Sequence, residues 1–288
     1  MIRKVLVVYK SSVFEKFFKG SSLLKNKNLP VIASHLNRIY RVHEEYYRSF
    51  QKVLNLLKDL RVAFEKAERK DRVNLKSFDL ILTVGGDGTF LEVSHQVKDQ
   101  IILGINSVPK HSVGRYCCTD AQHFPLVFEK LLKNRLKITT LPRLILSING
   151  HIVAERILND FLVAHVNPAM MSRYALKIGA KEEEQRSSGI WISTPSGSSG
   201  AMKSAGGPVI PIGGKSIVYL PRELHQALGR KCVLTGGILK PGRPLSVVSM
   251  MREGMIYGDG ALIAARFPYG ATAQIGFSAH SLKTFQKD

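Results

Sequence analysis

The stretch Leu80–Val93, LILTVGGDGTFLEV, constrains this chain more than any other. An apolar run of strand length leads into Gly85, Gly86, Asp87, Gly88 and Thr89, and a second apolar segment with helical spacing follows. A turn that leaves the carboxyl end of a strand and opens a helix is where an open α/β sheet gathers its ligands. Glycine permits positive φ and lets backbone N–H groups approach a phosphate. Thr89 is the expected N-cap, and the helix start adds free donors and the positive end of a dipole. No Gly-Lys-Ser/Thr follows, so this is not a P-loop. Nor is it a dinucleotide fingerprint, because G-x-G-x-x-G counted from Gly86 meets Leu91. Asp87 needs its own reason: a carboxylate repels phosphate unless it binds a metal or takes a proton.

The flanking sequence supports a parallel sheet. KVLVVYK (Lys4–Lys10), RVAFEKAE, FDLILTV and IILGIN (Ile101–Asn106) read as strands. Between the first two, Ile39, Val42, Tyr46, Phe50, Val53, Leu54 and Leu57 recur at helical spacing, which predicts an amphipathic helix over Ile32–Asp59. Strands alternating with helices argue for a doubly wound, Rossmann-like α/β domain. Near residue 135 the texture changes to short apolar or alternating runs separated by turns about every 8–12 residues. Asn149-Gly150 suits a two-residue hairpin. KEEEQR reads as a solvated turn. The expected organisation is an α/β domain over 1–134, completed by 270–288, and a β-rich, mostly antiparallel, sandwich-like domain over 135–269.

The 288 residues carry 42 Lys and Arg against 22 Asp and Glu, a net charge of +20. Such a field favours polyanions, but the basic residues are dispersed and no aromatic RNA-binding motif accompanies them, so nucleic acid is not the expected partner. No apolar run approaches the ~20 residues of a membrane span. The N-terminal apolar run of about five residues is shorter than the roughly 7–15 of a signal peptide core. Three cysteines without a C-x-x-C and nine histidines without H-E-x-x-H give no metal cage, and they suit a reducing, cytoplasmic setting.

The GGDGT turn resembles that of the NAD kinases and also that of the diacylglycerol and sphingosine lipid kinases. Two further stretches separate these. RILNDFLVA (Arg156–Ala164) resembles the Leu-Asn-Glu/Asp element of NAD kinases at Asn159 and Asp160. GIWISTPSGSSGAMKSAGGP (Gly189–Pro208) resembles their S-T-P-T-G-S-T run, matching at Ser193, Thr194, Pro195, Gly197, Ser198 and from Ser204 to Pro208. GINSVPKHSVGRYC (Gly104–Cys117) is longer than the usual family element and looks closer to the mitochondrial-type branch. Departures are Ser188 for an aspartate, Ser199 for a threonine and Ala201 for a tyrosine.

The resemblance implies a two-domain kinase with its active site between the domains and its C-terminal segment returning to the first. It implies that Asp87 is the general base on a ribose hydroxyl, while Gly85, Gly86, Gly88 and Thr89 hold phosphates of the ATP donor, which brings Mg2+ with it. Asn106 and Tyr116, with Arg115, would line the nicotinamide side. Asn159 and Asp160, helped by Ser199 and Ser204, would orient NAD, and Arg186 could reach a phosphate. Asp259, in YGDG, reads as structural. Dimers or tetramers are expected from the family. A lipid kinase and a non-catalytic dinucleotide sensor are the alternatives, the latter suggested by Ser188 and Ala201.

Overall fold

The structure, a computed structural model, describes residues 2–20, 30–226, 231–243 and 245–287. It divides into two units, Met1–Thr139 with Lys283–Asp288, and Thr140–Leu282.

The first unit begins with β1 (Lys4–Tyr9), α1 (Val13–Phe17), α2 (Pro30–Asp59) and β2 (Ala63–Glu68). It continues with β3 (Leu80–Gly85), α3 (Asp87–Ser94), β4 (Ile101–Asn106), β5 (Cys117–Asp120), α4 (Phe124–Leu132) and β6 (Ile138–Leu141). Among the described residues these strands form one sheet, in the order β2, β1, β3, β4, the chain's last strand (Leu282–Phe285), and β6. β4 is shared: its first residues pair with Lys283 and Thr284, and its last three with β5. The pairs among β1, β2, β3, β4 and β5 are parallel. Every residue of β3 is buried, as a parallel strand covered on both faces requires. α2 lays Phe50, Val53, Leu54 and Leu57 into the core beside Val5, Val7, Leu82 and Ile105.

The second unit opens with the hairpin β7 (Leu144–Ile148) and β8 (His151–Ile157). Its turn residues Asn149 and Gly150 have φ of 50° and 81°, the two positive values that a type I′ turn demands. Next come β9 (Asp160–His165), β10 (Ser172–Ile178), β11 (Lys181–Ser187), β12 (Ile190–Ser193), α5 (Ala201–Ser204), β13 (Ile217–Pro221) and β14 (Gly237–Leu239). β15 (Leu245–Ser249), β16 (Gly254–Gly258), β17 (Ile263–Arg266) and β18 (Thr272–Phe277) complete it. Among the described residues they make two sheets, β11-β10-β15-β18-β7-β8 and β14-β13-β12-β9-β16-β17. Their registered pairs are antiparallel. Leu146, Tyr174, Leu176 and Val247 of one sheet share a core with Phe161, Val163, Ile192 and Ile256 of the other. That is a sandwich.

Two details differ from the sequence reading. KEEEQR is not a turn but most of β11, the edge strand of its sheet. The segment that returns to the first sheet starts at Leu282, whereas Thr272–Phe277 pairs inside the sandwich.

Candidate active site

In the first unit, β3 ends at Gly85 and α3 begins at Asp87, with Gly86 in the cap position. Thr89, expected as the cap, is the third helical residue instead. It is buried, and its Oγ1 has no hydrogen-bond partner among the described residues. Nor do the glycines serve positive φ, which none of Gly85, Gly86 and Gly88 adopts. Close approach explains two of them. A Cβ on Gly85 would lie 2.3 Å from Thr89 Oγ1, and one on Gly86 2.5 Å from Ser112 Oγ. Gly88 has nothing within 4 Å and is exposed. The turn is packed from below and open at its tip.

Asp87 is half-buried. Its Oδ1 accepts the backbone N–H of Tyr116 at 2.8 Å. Among the described residues Oδ2 takes no hydrogen bond, which leaves one carboxylate oxygen able to receive a proton. Cys117, beside it, is no rival nucleophile: burial first, then the charges of Asp87 and Cys118, push its thiol well above the usual range.

The neighbours expected to touch substrate are engaged in building this turn. Asn106 ends β4 in register with Gly85. Its Nδ2 donates to Ser112 O at 3.0 Å, and its Oδ1 accepts from Val108 N at 3.2 Å. Both ends of the amide thus hold the loop that follows. The Tyr116 ring is buried and stacked on Phe90, 5.1 Å between centroids and 7° between planes. The backbone N–H of Tyr116 is what bonds Asp87. Ser112, whose hydroxyl overlies Gly86, carried no signal in the sequence beyond the unusual length of its loop.

In the second unit, Asn159 and Asp160 form the corner between β8 and β9. Asp259 builds it. Its carboxylate accepts N–H groups from Leu158 at 2.9 Å, Asn159 at 2.7 Å and Asp160 at 3.3 Å. The S-T-P run braces the other side. Thr194 N donates to Asn159 O at 2.8 Å, Thr194 Oγ1 to Leu158 O at 2.6 Å, and Ser193 Oγ to Asn159 O at 3.1 Å. Gly197 passes so close that a Cβ there would fall 2.2 Å from Asn159 O. Ser193, Thr194 and Ser198 therefore spend their hydroxyls inside the protein. Ser196 Oγ is buried without a partner among the described residues. Asp160 is buried, and burial followed by the charge of Asp259 pushes its pKa up to about 7. Near neutrality it can therefore donate as well as accept.

Ser199 is half-buried, two residues beyond Gly197, and Ser204 is exposed on α5. Arg186 lies elsewhere, exposed on the edge strand β11 opposite Arg173. Among the described residues there is no cluster of three His, Cys, Asp or Glu able to hold a metal. No helix among them is long and apolar enough to cross a membrane.

Known proteins resemble this chain. The profile of the ATP-NAD kinase N-terminal domain matches residues 21–135. A protein of Oryza sativa subsp. japonica named "Probable NADH kinase" is 31% identical over 88% of this chain and 84% of its own length. The NADH kinase of Arabidopsis thaliana is 30% identical over 99% of this chain and 96% of its own. An NAD kinase from Archaeoglobus fulgidus, solved in complex with ATP, has a TM-score of 0.71 at 21% identity. That likeness, which is one of fold, covers 99% of this chain and 94% of that one. The chain is a kinase, a phosphotransferase acting on an alcohol group. It belongs to the NAD kinase family, whose members include NAD and NADH kinases.

Proposed function

We propose that the chain transfers the terminal phosphoryl group of ATP to the 2′-hydroxyl of the adenosine ribose of NAD, giving NADP. The observation that carries this is Asp87, with one oxygen tied to the Tyr116 N–H and the other available, at the glycine turn of α3. A sugar hydroxyl is a poor nucleophile, and a carboxylate within hydrogen-bond reach takes its proton as the phosphoryl group arrives. Gly85, Gly86, Gly88 and Thr89 receive the donor's phosphates. Asn159 and Asp160 hold the acceptor, with Ser199 and Ser204 beside them, and the neutral carboxyl of Asp160 can donate to a ribose oxygen. Arg186, Asn106 and Tyr116 act on this reading through the surface and loop they support. Mg2+ would come with the nucleotide and neutralise its phosphate oxygens. Self-association as a dimer or tetramer and cytoplasmic residence belong to the same proposal, and three cysteines that form no disulfide among the described residues agree with a reducing compartment.

NADH is the second acceptor to consider, because two relatives that align over most of this chain are named as a probable NADH kinase and an NADH kinase. The test is incubation with ATP, Mg2+ and either NAD or NADH, with product read by an NADP-specific dehydrogenase. Asp87→Asn should lower kcat by about 10²–10⁴-fold and leave NAD binding near normal. Turnover close to wild type in that variant would remove Asp87 from the role of base. The ratio of kcat/KM for the two nucleotides assigns the acceptor.

A further inference from the structure

The parallel sheet of the first unit reverses direction at β1. The chain goes from β1 to β2 on one side, then to β3 on the other. In an open α/β sheet the crevice outside the carboxyl ends of two such strands is the natural ligand site. A cavity of about 300 Å³ opens there, past the end of β1. The pairing of β1 with β3 runs to Val8 and Thr83; Lys10 follows directly on the end of β1, and Gly85 closes β3. Asn106 lies in register with Gly85 on the far side. Lys10, Gly85 and Asn106 thus lie at the carboxyl ends of three neighbouring strands.

The cavity joins two chemistries. Val13, Ile39, Val42, Tyr46 and Val108 give it an apolar wall. Its ionisable groups are Lys10, Arg38, His35 and His43 beside the Tyr46 phenol, with no carboxylate among the lining residues. Lys10 donates its backbone N–H to Tyr46 Oη at 3.0 Å, and its ammonium sits 5.8 Å from the centre of the Tyr46 ring. Nearby cations have counter-charges: Arg69 meets Glu92 of α3 at 2.7 Å, and Lys16 meets Glu68 at 3.6 Å. Lys10 has no such carboxylate among the described residues. Burial, then the charges of Arg69 and Lys16, lowers its pKa. A half-buried cation left unmatched next to a cavity is a place for an anion.

We propose that this cavity takes the base and ribose of a nucleoside triphosphate, and that Lys10 binds its phosphates where they pass toward the turn at Gly85–Thr89. Inorganic polyphosphate would use Lys10 and the turn but would leave the apolar chamber empty. The identity of the reaction rests on the proposed kinase activity; the binding does not, and it can be measured alone.

The experiment is calorimetry of the full-length chain with adenylyl imidodiphosphate, with tripolyphosphate, and with NAD. Lys10→Met should weaken the adenylyl analogue by about tenfold or more, equivalent to ~1.4 kcal/mol, with NAD affinity kept. Lys10→Arg should restore much of the loss. Val42→Trp, which fills the chamber, should weaken the analogue to a similar degree and leave tripolyphosphate unchanged. Ile39→Phe, a milder filling, repeats that comparison should Val42→Trp not fold. The inference is overturned if wild type does not bind the analogue, or if Lys10→Met binds it within twofold of wild type. It is overturned equally if the filled variants lose tripolyphosphate as much as the analogue. Analogue binding that responds in this way, in a chain that forms no NADP, would keep the nucleotide site and sink the assigned reaction. NADP formation with unchanged analogue binding in the variants would do the reverse.

Discussion

A Cβ placed on Gly85 meets Thr89 at three atoms, the nearest at 2.3 Å and 2.7 Å. Thr89 is buried in the first turn of α3, so relief requires the helix to shift against β3. Gly85→Ala should therefore cost about 1–3 kcal/mol, the usual range for overpacking. Gly88→Ala meets nothing within 4 Å and should leave the urea midpoint where it is. Equal midpoints for the two variants would mean that the turn relaxes freely. If Gly88→Ala lowers activity without lowering stability, its bareness serves the approach of a phosphate. The sequence pointed to these glycines through positive φ, and the physical reason is contact distance. Spacing along a chain cannot reveal that, because it does not say which side chain lies underneath. Thr89 was misread on the same ground, since an N-cap and the third helical residue differ only in where the strand stops.

The corner between β8 and β9 owes its shape to the turn after β16. Asp259 is buried and φ-positive, and it gathers three amides of residues 158–160. Its charge then burdens Asp160. A carboxyl whose folded pKa is raised stabilises the fold while protonated. That contribution is complete below 3.8, the ordinary aspartate value, and is lost as pH rises through about 7. Asp160→Asn stays neutral throughout. The stability of the variant relative to wild type should therefore grow across this window and level off above it, as read from urea midpoints at successive pH values. A difference that stays flat would mean that Asp160 ionises in the fold as easily as in the unfolded chain. Legibility at this scale follows the burial pattern. β10, SRYALKI, alternates buried residues with exposed or half-buried ones without a break, the period of two that a sequence displays openly. β11 buries Gln185 and Ser187 on the core side, where Gln185 Nε2 donates to Leu234 O at 2.8 Å and Ser187 bonds the Tyr174 hydroxyl at 2.9 Å. Polar residues on both faces of an edge strand leave no hydrophobic alternation to read, so KEEEQR looked like a turn. The pair Asn159-Asp160 was legible only through its resemblance to a family element, because the carboxylate that shapes it is about a hundred residues away in sequence.

The chain begins and ends in one sheet. β1 lies two strands from β4, and the segment Leu282–Phe285 lies against β4 on the other side. Alternating strands and helices made the first half of that sheet visible in the sequence. A four-residue strand, LKTF, carries too little pattern to announce itself, and its return was inferable only from the family resemblance. Yet it is well anchored. Leu282 and Phe285 are buried, Phe285 packs with Phe124 and Phe128, and Thr284 Oγ1 donates to Ile102 O at 2.8 Å. Phe285→Ala should cost about 3–5 kcal/mol. Ending the chain after Ser281 should go further, since it strips β4 of the parallel neighbour at its first residues and uncovers an edge. Hydrogen exchange separates this from a general loss of stability. Amides of β1, β3 and β4 should lose protection in the shortened chain, while those of β10, β15 and β18, whose ladders lie wholly within the sandwich, should keep it. Equal protection in β4 with and without the last strand would show that the terminal segment decorates the sheet; equal loss in both units would show that the two unfold as one.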